Sequence, residues 1–356
     1  MELDIKSANN KKTGRLWRLL RPLAFSFDAE QMHESAIWLL KLKSWLLEGT
    51  KPAQMPAFYS LKKDLMGLHF KNPIGLAAGF DVDALCLPAL EELGFGFIEV
   101  GGVTEHAQLG NPKPRIFRLP KDNAIINRLN FYNAGANRLR TRLADLRNKK
   151  RIEVPIGINL GKSNHSSLEE VPREYARTFQ IVSEVADYIT INISCPNTEG
   201  LQRYQTAESL GLLLDRVCNV NENLAKKLPL LLKLGPDLSN EEAIACAEIA
   251  VDYRLAGLII SNTTHKRNGL ITSVDYGKGG LSGQPLFERS TQLLRCVAKD
   301  YGGRLVLIGS GGIMDGGCAL AKLHAGASLL QVYTGLIYGG PDFVWELLQY
   351  LEHSST

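Results

Sequence analysis

LVLIGSGGIMDGGCALAKLHAGASLLQVYTG, residues 305–335, holds one pattern twice: a short apolar run that ends in a polar or glycine-rich tail. Leu305–Ile308 passes into Gly309-Ser310-Gly311-Gly312, and Ser328–Tyr333 passes into Thr334-Gly335. An amphipathic stretch separates the two. A short apolar run without alternation suits a strand buried on both faces, and strand–helix–strand is a parallel unit. Upstream the pattern recurs at Pro73–Ala78, Phe97–Gly101, Ile156–Leu160, Tyr188–Ile193, Leu230–Leu234 and Gly257–Ile260, with helical patterns such as Asn240–Tyr253 and Ser290–Tyr301 between runs. Eight such units predict an α/β fold, a (β/α)8 TIM barrel over 61–356 that follows an N-terminal amphipathic helical segment over 1–60. The long interval between the second and third runs carries Pro112, Pro114 and Pro120, and predicts loops or small strands over one barrel mouth.

In a barrel all eight tails converge on one face, where such proteins keep their active sites. The last two tails predict a phosphate site built from backbone N–H groups, with Gly311-Gly312 allowing close approach. Asn159, Asn192, Asn197 and Asn262 stand at or just past run ends, and Asn127 lies in the long insertion. Each amide both donates and accepts, so the set suits a planar ring with amide or ureide edges. Lys233 inside an apolar run needs a negative partner, and a flavin ring gaining charge on reduction is one such partner.

The N-terminal segment is basic and apolar at once. Lys6, Lys11, Lys12, Arg15, Arg18 and Arg21 fall among Leu16, Trp17, Leu19, Leu20, Leu23 and Phe25, and no acid occurs from Ile5 to Phe27. Pro22 is expected to end or kink a first helix, and Ser26 or Asp28 to cap a second that runs to Gly49. The second helix carries Trp38, Leu39, Leu40, Leu42, Trp45 and Leu46, an apolar surface too wide for one buried stripe. The segment reads equally as an interfacial membrane patch or as a helical hairpin packed on the main domain or another subunit.

The 356 residues are 45% hydrophobic and 22% charged, which excludes a fibre, a disordered tail and a disulfide-stapled miniprotein. A net charge of +4 is too mild to argue for nucleic acid as a partner. The six cysteines form no C-x-x-C pair and the histidines do not cluster near them, so no metal site is expected, and most read as reduced, buried thiols. No apolar run is long enough for a transmembrane helix, and no secretory leader is evident at the N-terminus.

Seven further stretches carry a specific resemblance: Asn72–Asp81, Gly110–Arg115, Ile126-Asn127-Arg128, Gly157–Lys162, Asn192–Asn197, Gly279–Gly283 and Tyr333-Thr334-Gly335. In order and spacing they resemble the dihydroorotate dehydrogenase family, and the helical N-terminus resembles its membrane-associated, quinone-using class. The resemblance implies an FMN-containing oxidoreductase of pyrimidine biosynthesis. It implies that hydride passes from a saturated ring carbon of dihydroorotate, or of a related carbonyl-adjacent C–C bond, to FMN, that a side-chain base, Cys195 by position, takes the neighbouring proton, and that a quinone reoxidises the flavin. It implies FMN contacts at Ala78, Gly79, Asn159, Asn192, Lys233, Ser261, Gly283, Gly311, Tyr333 and Thr334. It implies substrate contacts at Asn127, Asn192, Asn197, Asn262 and Thr263, and a quinone tunnel at His33, Arg118 and Tyr333. The implied location is a peripheral one on the cytoplasmic face of a membrane, the inner membrane in a bacterium.

Five places depart from the family pattern. Val82 replaces a lysine that touches flavin and the substrate carboxylate, and a charge-assisted bond of roughly 1.5–3 kcal/mol goes with it. Gly102 replaces a threonine, Asn130-Phe131-Tyr132 replaces Gly-Phe-Asn, and Gln284 replaces an arginine. Cys195 stands where the membrane class has a serine base, as in the cytosolic classes, and a thiol ionises readily enough for base chemistry near neutral pH. These departures leave two other readings open: a divergent paralogue acting on a non-orotate substrate outside pyrimidine synthesis, and a non-catalytic flavin-binding barrel.

Overall fold

The computed structural model describes residues 16–48, 58–198, 200–273 and 276–354. Its strands are β1 (Lys63–Leu65), β2 (Leu68–Phe70), β3 (Ile74–Leu76), β4 (Phe97–Val103), β5 (Ile116–Leu119), β6 (Ala124–Asn127), β7 (Ile156–Leu160), β8 (Tyr188–Asn192), β9 (Leu230–Leu234), β10 (Gly257–Ile260), β11 (Gly280–Gly283), β12 (Val306–Ser310) and β13 (Leu329–Val332). The helices are α1 (residues 16–26), α2 (Ala29–Leu46), α3 (Leu87–Glu91), α4 (Ala136–Asn148), α5 (Val171–Val182), α6 (Ala207–Glu222), α7 (Asn240–Asp252), α8 (Phe287–Tyr301), α9 (Gly316–His324), α10 (Thr334–Gly339) and α11 (Phe343–Ser354).

The strands β3, β4, β7, β8, β9, β10, β12 and β13 close in chain order into a parallel barrel, and each coincides with one of the eight apolar runs. Burial on both faces explains the runs: β7, β8 and β9 are buried at every position, between the barrel interior and the outer helices.

The interior is layered. At the bottom, Phe97, Tyr188, Leu231, Ile259, Ile308 and Leu329 pack on Phe70 from the β1–β2 hairpin, which plugs that end. A Cβ on Gly75 would lie 2.2 Å from the Phe97 ring, and one on Gly157 2.0 Å from that of Tyr188. Those two glycines are therefore the space the aromatic pair fills. Two residues further along the same strands the interior turns polar, with Glu99, Asn159, Thr190, Lys233 and Gln331. Side chains at i and i+2 share a face, so the reactive layer is set by register on a dry aromatic floor.

The long insertion supplies β5 and β6, which join β11 in a small antiparallel sheet beside the barrel mouth. The N-terminal hairpin packs there as well. Asp28 caps α2 by accepting from the N–H groups of Glu30 and Gln31. Arg115 Nε donates to the buried Glu30 carboxylate at 2.9 Å, Ala89 N donates to Ser44 Oγ at 3.1 Å, and Trp17 Nε1 donates to the Tyr338 carbonyl at 3.2 Å.

Two details differ from the sequence expectation. Of the end or kink expected at Pro22, the end does not occur: the helix over 16–26 continues through it. Pro22 and Arg18 are exposed, so the carbonyl that loses its N–H partner faces water, which can satisfy it. The second helix ends at Leu46; the expected end at Gly49, like Lys6, Lys11, Lys12 and Arg15, lies outside the described residues. The wide apolar surface is divided between two environments. One side packs on the barrel, while Leu19, Leu23, Phe27, Trp38, Trp45 and Leu46 are exposed.

Candidate active site

Glu99 is the anchor of the polar layer. Its Oε2 accepts from Thr190 Oγ1 and Gln331 Nε2, each at 2.9 Å, and from the Tyr188 hydroxyl at 3.3 Å. Its Oε1 accepts from Asn159 Nδ2 at 2.9 Å and lies 3.8 Å from Lys233 Nζ. The negative partner that Lys233 needs is therefore Glu99, within the protein, rather than a flavin alone. Burial pulls the lysine below its ordinary pKa, and Glu99 opposes that shift.

A carboxylate only accepts, so Glu99 fixes the direction of an amide ladder above it. Asn159 Nδ2 points to Glu99, which leaves Asn159 Oδ1 to accept from Asn192 Nδ2 at 3.0 Å. Asn192 Oδ1 in turn accepts from Asn262 Nδ2 at 3.3 Å and from Ser194. Asn197 Nδ2 donates to Asn127 Oδ1 at 3.2 Å, so a second amide pair stands across the cavity. Three strand ends and one insertion strand thus present oriented amides to one space.

Cys195 follows β8 and is buried. Burial pushes its thiol above the ordinary range; the Thr198 hydroxyl, the backbone N–H groups of Asn197 and Thr198, and Lys233 pull the other way. The hydroxyl is contested. Asn111 Nδ2 donates to the Arg128 carbonyl at 2.8 Å, so Asn111 Oδ1 accepts from Asn130 Nδ2 at 3.2 Å. Asn130 Nδ2 also donates to Asn164 Oδ1 at 2.8 Å, and its Oδ1 accepts the Thr198 hydroxyl at 3.0 Å. The single hydroxyl proton of Thr198 is then held by Asn130, and toward the sulfur Thr198 offers a lone pair that suits S–H better than S⁻. Ionising Cys195 requires that hydroxyl to turn.

The glycine-rich tails form a cradle. A Cβ on Gly283 would lie 2.3 Å from the Asn123 carbonyl oxygen, and one on Gly312 2.4 Å from Phe287 Cα. Gly79 and Gly311 have φ of 100° and 94°, which a side chain disfavours. The first turn of α10 leaves its backbone N–H groups without intrahelical acceptors beside Gly311-Gly312. Tyr333 precedes that turn, its hydroxyl 3.4 Å from the Gly79 carbonyl, and burial pushes it up to about 12. This donor set, small residues around backbone N–H groups with a buried lysine and amides beyond, fits a flavin mononucleotide, whose phosphate the glycines would take and whose ring the lysine and amides would hold.

All the positions singled out in the sequence border one cavity of about 580 Å³: Ala78, Gly79, Asn127, Asn159, Asn192, Cys195, Asn197, Lys233, Ser261, Asn262, Thr263, Gly283, Gly311, Tyr333 and Thr334 at the barrel mouth, His33 and Arg118 toward the hairpin. The cavity continues between α1, α2 and the barrel past Phe25, Met32, Ala36 and Leu40. There the Phe80 ring stands edge-on to both His33 and Tyr333, with centroids 5.1 and 5.8 Å away. Burial holds His33 below its ordinary pKa. Arg118 donates to the carbonyls of Ala24 and Phe27 and lies over the Phe25 ring at 4.7 Å.

Four of the five departures border this cavity, and the fifth, Gln284, is exposed outside it. Val82 borders the cavity. A Cβ on Gly102 would stand 2.2 Å from the Phe131 ring and one on Gly161 2.6 Å, so Phe131 fills the room those glycines leave. Gln284 accepts from Asn123 Nδ2 at 3.0 Å. Two contributors escaped the sequence reading, Glu99 and Thr198. Glu99 had a signal: it is the one acid in the run Phe97–Gly101, as Lys233 is the one base in Leu230–Leu234. Thr198 had none beyond its place after Asn197.

The family model described as dihydroorotate dehydrogenase matches residues 60–354. The chain is 44% identical over 338 residues to the dihydroorotate dehydrogenase (quinone) of Gloeobacter violaceus, across 94% of this chain and 93% of that protein. It is 44% identical over 347 residues to the dihydroorotate dehydrogenase (quinone) of a Synechococcus strain, across 93% and 90%. Among solved structures, it resembles the dihydroorotate dehydrogenase of Eimeria tenella in complex with ferulenol, at 35% identity and a TM-score of 0.84, across 91% of this chain and 90% of that one.

Proposed function

The chain belongs to the dihydroorotate dehydrogenase family, and from that premise we propose that it oxidises dihydroorotate to orotate with FMN and delivers the electrons to a quinone. Bound FMN would supply a two-electron acceptor for the hydride of the saturated ring carbon, from which the quinone would draw the electrons. The protein does the rest. Cys195, as thiolate, takes the proton from the neighbouring carbon, so that a C=C bond forms as the two C–H bonds break. Asn127, Asn192, Asn197, Asn262 and Thr263 hold the ring by its amide edges. Ala78, Gly79, Asn159, Asn192, Lys233, Ser261, Gly283, Gly311, Tyr333 and Thr334 hold the cofactor. Lys233, 3.8 Å from Glu99, would donate a hydrogen bond to the cofactor ring, and burial makes that contact stronger than it is in water.

The observation that carries this reading is the continuity of the cavity, which runs from Cys195 and the amides to the hairpin without a break. A quinone has a path past His33, Arg118 and Tyr333 that the polar substrate does not need. The N-terminal segment, residues 1–60, then serves as the quinone-facing unit, and 61–356 as the flavin barrel. Among the described residues no helix is long and apolar enough to cross a membrane. The exposed Leu19, Leu23, Trp38 and Trp45 support a peripheral seat on a membrane, the source of the quinone, and we place it on the cytoplasmic face as the family resemblance implies. Purified protein should carry one FMN per chain, and dihydroorotate added without oxygen should bleach it; a flavin-free preparation would overturn the reading.

A further inference from the structure

We propose that this site also oxidises uncharged dihydropyrimidine rings, bearing hydrogen where dihydroorotate bears its carboxylate, and prefers the acid little or not at all. The inference rests on the flavin reading of the cavity. Its ground is the charge inventory around the ring-binding end.

Lys233 and Glu99 are both buried and 3.8 Å apart, so together they add no net charge. The groups facing the ring are neutral amides and a hydroxyl, Asn127, Asn197, Asn262 and Thr263, with Val82 and Phe131 as apolar wall. Lys162 and Arg128, two cations close in sequence to this wall, are engaged elsewhere. Lys162 Nζ donates to the Ser163 carbonyl at 2.7 Å. Arg128 clamps the Pro114 carbonyl through Nε and Nη2, at 3.1 and 3.0 Å, and lies over the Phe117 ring at 4.9 Å. Arg118 sits at the hairpin end, on the carbonyls of Ala24 and Phe27. Among the described residues bordering the cavity, none offers an opposite charge at the ring-binding end beyond the one Glu99 neutralises.

A carboxylate bound there would be desolvated with hydrogen bonds but no counter-charge, which disfavours it. A neutral ring meets no such cost, and its N–H and C=O edges match the amides equally well. The chemistry is unchanged: hydride from the saturated carbon to the flavin, proton from its neighbour to Cys195 Sγ, a C=C bond formed, and two electrons passed on to the quinone.

The test uses the flavin-loaded protein under anaerobic conditions, mixed with dihydrouracil or with dihydroorotate, and reads loss of the oxidised-flavin absorbance. Calorimetric titration of the oxidised protein with uracil and with orotate reads binding alone. The expected result is bleaching by both, with efficiencies within about tenfold, and orotate bound no more than about tenfold tighter than uracil. Val82→Lys should then raise the preference for the acid by about ten- to a hundredfold in both readouts. Bleaching by dihydroorotate alone, with orotate bound more than a hundredfold tighter, overturns the inference and leaves the flavin reading standing. Bleaching by neither, while dithionite still bleaches the protein, overturns the dihydropyrimidine reading itself and the inference with it.

Discussion

Replacing Glu99 by glutamine tests whether the buried carboxylate organises the polar layer. The side chain keeps its size but loses its charge and one acceptor. With the amide nitrogen at the Oε1 position it faces two donors, Asn159 Nδ2 and Lys233 Nζ; at the Oε2 position it faces Gln331 Nε2, Thr190 Oγ1 and the Tyr188 hydroxyl. Either way a buried donor loses its acceptor, at about 1–3 kcal/mol. The lysine, 5% exposed, also loses its counter-charge, and breaking a buried pair from one side costs about 3–5 kcal/mol. Relaxation lets these overlap, so the expected loss is about 3–5 kcal/mol. For a chain this long that is roughly 2 °C per kcal/mol, a fall in Tm of about 6–10 °C. Adding Lys233→Met to Glu99→Gln should recover much of the loss, because removing both charges leaves neither stranded. Thermal unfolding of the flavin-free proteins followed by circular dichroism reads stability without the cofactor. A Glu99→Gln protein within about 1 kcal/mol of the parent, or a double variant less stable than the single, would refute the anchoring argument.

Other consequences concern the base and the hairpin. Because burial raises the Cys195 thiol, the rate of flavin reduction should keep rising with pH through and beyond neutrality as thiolate forms, and Cys195→Ala should slow it by about 10²–10⁴-fold while FMN stays bound; a flat pH profile in the parent removes Cys195 as the base. Asn130→Gly releases the Thr198 hydroxyl to donate to the thiolate, so the rising limb of that profile should move to lower pH, and an unmoved limb shows the hydroxyl is not contested. Trp38→Ser with Trp45→Ser should weaken binding to anionic vesicles and slow reoxidation by a membrane quinone while leaving reduction by substrate unchanged; equal loss in both half-reactions marks the hairpin as structural.

The barrel was legible because parallel strands buried on both faces write themselves as uninterrupted apolar runs, and all eight runs became barrel strands. The gathering of distant tails at one mouth followed from the fold class. What stayed hidden was pairing across the barrel. Gln331 and Asn159 meet Glu99 from 232 and 60 residues away, and no local pattern records such a meeting. The hydroxyl contest at Cys195 was equally out of reach, since Asn130 reaches Thr198 only because the insertion folds back over the mouth. Pro22 does not end the first helix, because it is exposed and water can satisfy the carbonyl that loses its N–H partner.

The central claim is that one continuous cavity couples oxidation of the ring to reduction of a quinone. The direct measurement is a two-step anaerobic experiment on the purified flavoprotein, first dihydroorotate, then a soluble ubiquinone analogue. The account predicts bleaching with one orotate formed per flavin, then full return of the flavin absorbance with one quinol formed. A flavin that bleaches with dihydroorotate but stays reduced in the presence of the quinone would contradict it.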